Sequence, residues 1–106
     1  MVEIEYDRKS LTLNAKGHAG SDTYGHDLVC AGVSTLVYTL IGNLDRLHGV
    51  DYGDIEIRLE PGDSQVRFMA EKGKDSVPAL IFQTICVGFE MLEQQFPEFV
   101  RYTVVG

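Results

Sequence analysis

Ile55-Glu56-Ile57-Arg58-Leu59-Glu60-Pro61-Gly62-Asp63-Ser64-Gln65-Val66-Arg67-Phe68-Met69-Ala70 is a segment of period two. Ile55, Ile57 and Leu59 alternate with Glu56 and Arg58, and Val66, Phe68 and Ala70 alternate with Arg67 and Met69. Such alternation belongs to half-buried strands. Glu60-Pro61-Gly62-Asp63 between the two runs is a strong turn signal, so the segment predicts a β-hairpin. On either side the period changes. Upstream, Val29, Val33, Leu36, Leu40, Leu44 and Leu47 fall at spacings of three and four, one face of a helix over about 28–48. Asp27 stands where its N-cap should be, and Gly49 is a C-terminal stop. Downstream, Ile81, Ile85, Phe89, Leu92 and Phe96 make a second helical stripe, with Ser76 as N-cap candidate, Pro78 tolerated in the first turn and Pro97 as terminator.

Further out, Val2, Ile4 and Tyr6 alternate with acids. Leu11, Leu13 and Ala15 follow after the polar turn Arg8-Lys9-Ser10, which predicts a first hairpin ending at Gly17. Phe99 to Val105 is β-branched and aromatic, a final strand. The order is ββαββαβ. It predicts an α+β two-layer sandwich, with two helices packed on one face of a mostly antiparallel sheet.

With 106 residues, the chain is read as a single domain, 1–106. A chain of this size buries roughly 60–70% of its unfolded surface, enough for a core without disulfide or metal staples. Sixteen acids against nine bases give a net charge of −7. That disfavours nucleic acid and anionic membrane as partners and favours a basic one. Two cysteines, Cys30 and Cys86, make no disulfide framework. The N-terminal residues are acidic where a signal peptide is basic, and the longest apolar run, Leu28 to Val33, is too short to span a bilayer. The expectation is a soluble cytoplasmic protein with reduced thiols.

The chemistry concentrates in Gly17-His18-Ala19-Gly20 and Gly25-His26-Asp27-Leu28-Val29-Cys30. Residues 19–26 carry no period and read as a glycine-bearing loop, a movable wall for a site that admits a peptide. On this reading Cys30 lies in the first turn of the helix. There, unpaired amides and the positive end of the macrodipole favour a thiolate. The thiolate is the nucleophile, and His18 can take and return its proton. Asp27 either caps the helix or orients an imidazole as a third group. Ser34, four residues after Cys30 and on the same helical face, either hydrogen-bonds near the thiol or bonds a backbone carbonyl. Ala31 and Gly32 leave room for a substrate backbone or allow close helix–sheet packing. Each residue also has a plain structural reading: Cys30 as a small buried hydrophobe, His18 as a hydrogen-bonded surface residue.

Gly17-His18-Ala19 followed by Gly25-x-Asp27-Leu28-Val29-Cys30-Ala31-Gly32-Val33-Ser34 resembles the signature of the ribosomal-processing cysteine proteases of bacteria, the Prp family. The likeness extends over nearly the whole chain in length and element order. Gly32 stands where alanine is commoner, and Leu28 where isoleucine is commoner; neither change removes a catalytic atom. The resemblance implies that His18 and Cys30 are the catalytic pair and that Asp27 and Ser34 support them. It also implies a homodimeric endopeptidase that removes a short N-terminal extension from a large-subunit ribosomal protein precursor.

Two other classes compete. In one, the same fold is a non-catalytic factor that holds a basic ribosomal protein, with Cys30 merely packed. In the other, His18, His26 and Cys30 hold zinc, but sequence places no fourth ligand nearby, so neither metal nor cofactor is expected. Cys86, among Ile85, Val87 and Phe89, reads as core, and His48 as a helix C-terminal residue. Gly20, Tyr24 and Gly25 are the candidate substrate-loop residues, with Tyr24 either a spacer or a substrate contact.

Overall fold

The computed structural model describes residues 1–18 and 26–106, with the backbone alone at 26 and 27. The elements run β1 (Val2–Asp7), β2 (Thr12–Gly17), α1 (His26–His48), β3 (Gly53–Glu60), β4 (Asp63–Ala70), α2 (Ser76–Gln95) and β5 (Val100–Val105). The predicted order ββαββαβ is therefore the observed one. The strands form one five-stranded sheet in the order β3-β4-β2-β1-β5. All neighbours are antiparallel except β1 and β5, which are parallel, so the sheet is mixed. The radius of gyration is 13.8 Å.

The core lies between the sheet and the helices. Val2, Ile4 and Tyr6 of β1, Leu13 and Ala15 of β2, and Val66 and Phe68 of β4 are buried, each two residues from the next on its strand. Val29, Val37, Leu40 and Leu44 of α1 and Phe82, Ile85, Cys86 and Phe89 of α2 close over them. Phe82 stacks on Tyr6 with centroids 5.1 Å apart. Burial pushes the Tyr6 hydroxyl pKa up to about 12. The stripe on α2 departs by one residue at its start from the predicted one: Phe82 is fully buried, whereas Ile81 only borders the core. Both helices are long and apolar enough to cross a membrane by length and composition. Here each presents its buried face to the sheet.

Two caps differ from expectation. The N-cap of α2 is Asp75, without a side-chain hydrogen bond, and Ser76 is the first helical residue. Helix α1 begins at His26, so Asp27 is its second residue and not its N-cap. Pro78 does sit buried in the first turn of α2. The helix stops at Gln95, where the Phe96 amide donates to the Leu92 carbonyl just ahead of Pro97.

The helices meet through glycine. A methyl carbon built on Gly32 would lie 3.1 Å from Leu92 Cδ2, and one on Gly88 only 2.5 Å from Leu36 Cδ2. The small residue after Ala31 admits a leucine of α2.

Candidate active site

Register fixes which ends of the elements converge. Val2 pairs with Gly17, Lys16 with Asp63, and Glu60 with Asp63. The start of β1, the end of β2, the β3–β4 turn and the start of β4 thus lie at one end of the sheet, and the N-terminal half of α1 lies over it. A cleft of about 370 Å³ opens there. His18 and Cys30 both line it, together with Ser34, Tyr38, Leu59 and Gly62.

Cys30, Ser34 and Tyr38 recur every four residues along α1, so one helical face supplies all three. Cys30 is half-buried and packs against the core cluster; Ser34 and Tyr38 are exposed. Because α1 starts at His26, Cys30 is its fifth residue, a full turn in. In a regular helix the amide of that residue already has an intrahelical acceptor. The expectation of Cys30 in the first turn is corrected accordingly, and unpaired amides belong to the residues before it.

His18 follows β2 directly and is exposed. Its carbonyl accepts a hydrogen bond from the Met1 amino group. The preceding Gly17 donates its amide to the Gly62 carbonyl at 2.9 Å. Arg58 braces the β3–β4 turn, reaching Asp63 Oδ2 at 2.6 Å. That hydrogen bond and charge hold the Asp63 carboxyl below its ordinary range.

Cys86 differs in environment. Burial pushes its thiol up, only partly offset by a hydrogen bond from Tyr102. It is core, as its neighbours predict. His48 ends α1, with Nδ1 3.1 Å from Asp54 Oδ1. The side chains of His26 and Asp27, and the candidate substrate residues Gly20, Tyr24 and Gly25, lie outside the described residues. Sequence reasoning misses Tyr38 and the β3–β4 turn as parts of the cleft. The spacing of Tyr38 from Cys30 is a usable signal; the turn gives none, because only the strand register brings it to His18.

Residues 1–101 match the sequence profile of the family described as cysteine protease Prp. The chain belongs to that family. It is 27% identical over 100 residues to the ribosomal processing cysteine protease Prp of Staphylococcus aureus, covering 94% of this chain and 92% of the relative. The Bacillus subtilis protein of the same name is 26% identical over 108 residues, with 96% and 92% covered. Crystal structures of relatives share the fold. The Staphylococcus aureus protease, solved with a covalently linked product peptide, superposes with a TM-score of 0.73 at 24% identity, over 98% of this chain and 99% of that one. A Streptococcus mutans protein gives 0.70 at 26% identity, over 98% and 91%. The enzyme is thus a cysteine protease of the Prp family.

Proposed function

We propose that Cys30 and His18 are the catalytic pair of an endopeptidase that removes a short N-terminal extension from a large-subunit ribosomal protein precursor. The observation that carries this reading is their arrival at one cleft from different elements, His18 from the end of β2 and Cys30 from α1. The Cys30 thiolate attacks the scissile carbonyl and forms an acyl-enzyme. His18 takes the thiol proton and delivers it to the leaving amine; water then releases the acyl group with His18 as base. Amides at the start of α1, ahead of Cys30, are suited to the developing oxyanion. Ser34 supports the pair from the next turn of the same face, and Asp27, three residues before Cys30 in the helix, is the candidate third group. Gly20, Tyr24 and Gly25 are the candidate substrate-contacting residues.

The substrate assignment rests on relatives named as ribosomal processing proteases, one of them solved with a substrate peptide. The net charge of −7 suits a basic ribosomal precursor, because long-range attraction speeds encounter. We place the enzyme in the cytoplasm as a homodimer acting without metal or cofactor; a sedimentation mass of one chain would contradict the dimer.

Alkylation followed by peptide mapping tests the pair. Iodoacetamide should label half-buried Cys30 before buried Cys86 and abolish cleavage as it does so. His18→Ala should slow Cys30 labelling by about tenfold or more, since general-base assistance is worth that order. Equal labelling rates with and without His18 would remove it from the mechanism.

A further inference from the structure

Gly62 stands against His18. A methyl carbon built on Gly62 would lie 2.5 Å from the His18 Nε2, 2.7 Å from Cε1 and 3.3 Å from Cδ2. No real side-chain carbon sits that close to a ring, so the imidazole rests on the bare backbone of the turn. The same residue also holds the chain just before His18, through the 2.9 Å hydrogen bond from the Gly17 amide to its carbonyl. The turn is itself fixed, because Glu60 pairs with Asp63 across it and Arg58 is bonded to Asp63 at 2.6 Å. We propose that Gly62 is a positioning residue for His18: the β3–β4 turn is the seat that sets where the imidazole stands in the cleft, and the seat works only without a side chain.

The turn geometry alone would also select glycine. Gly62 has φ +70°, and it follows Pro61, the pattern of a turn whose third residue needs positive φ. The two reasons separate experimentally. Asparagine tolerates positive φ far better than other residues with a side chain. It therefore keeps the turn while placing atoms where the ring now lies. Gly73 supplies the control. It has φ +79°, and no described atom lies within 4 Å of a methyl carbon built on it. Gly62→Asn and Gly73→Asn thus carry similar backbone strain, and only the first disturbs His18.

The proposal rests on the His18–Cys30 protease reading, and the experiment keeps the two apart. Wild type, His18→Ala, Gly62→Asn and Gly73→Asn are compared for cleavage of the ribosomal precursor and for the pH profile of Cys30 alkylation. Gly62→Asn should lose kcat by about tenfold or more, as expected for a displaced catalytic group. Its KM should stay within about threefold of wild type, because substrate binding is not what is removed. Its alkylation profile should move to that of His18→Ala, while Gly73→Asn matches wild type in every readout. Loss of kcat no greater in Gly62→Asn than in Gly73→Asn, or an alkylation profile unchanged from wild type, overturns the proposal and leaves the protease reading standing. A wild type that leaves the precursor whole overturns both.

Discussion

Gly32 shows how a single residue is set by its neighbour on another element. A glycine inside a helix costs up to ~1 kcal/mol relative to alanine. The Cδ2 of Leu92 lies 3.1 Å from where an alanine methyl would stand, so that carbon would displace the leucine by a few tenths of an ångström. The helical gain and the packing loss oppose each other. Gly32→Ala should therefore change unfolding free energy by less than about 1 kcal/mol in urea titration; a loss of several kcal/mol would mean that Leu92 has nowhere to go. At this scale the sequence is partly transparent. His18, Cys30 and Ser34 lie within one short stretch, and helical periodicity plus flanking glycines make them visible. Gly62 is visible only as a turn residue, because its contact with His18 depends on how β2 and β4 pair. No local pattern encodes that pairing.

Among the elements, the strands and helices are legible from period and punctuation, but their ends are not. Both helices start earlier than the sequence pattern predicts, α1 by about two residues and α2 by one, because Asp27 and Ser76 are good capping types that here fall inside the helix. The shift matters chemically, since it moves Cys30 out of the first turn. The parallel β1–β5 pair is also invisible in sequence, as strand alternation carries no direction. The β1–β2 turn offers a test of a local polar device. Asp7 Oδ1 accepts amide hydrogen bonds from Lys9 at 2.9 Å and Ser10 at 3.2 Å. These bonds, that from Ser10 foremost, hold the Asp7 carboxyl below the ordinary carboxylate range. A lowered folded-state value means the stabilisation is fully present above the unfolded-state value and is lost as pH falls through the folded one. Asp7→Ala should therefore lower thermal stability at neutral pH, with the difference from wild type shrinking on acidification toward the folded-state value. A difference that stays constant down to the lowest pH at which the protein folds would show that the carboxylate charge is not what holds the turn.

Across the whole molecule, the fold brings distant parts of the sequence to one end of the sheet and leaves the opposite face of the sheet largely polar. Glu3, Glu5, Asn14, Lys16, Gln65, Arg101 and Thr103 line a shallow depression on that face, where Gln65 donates to Asn14 at 2.9 Å. The helices cover the other face, and α2 keeps Leu80, Val87 and Met91 exposed. Charge and fold class are legible in the sequence, because both follow from composition and period summed over the chain. The cleft is not, because it is made by convergence of one strand end, one helix and one hairpin turn. Its function is decided by intact-mass analysis of the host's own ribosomal precursor after incubation with wild type, Cys30→Ala and His18→Ala. Wild type should make a single N-terminal cut and Cys30→Ala none, and His18→Ala should lower the rate by about a hundredfold or more. An uncut, soluble precursor with folded wild type, or a cut that survives Cys30→Ala, would contradict the catalytic role assigned to this cleft.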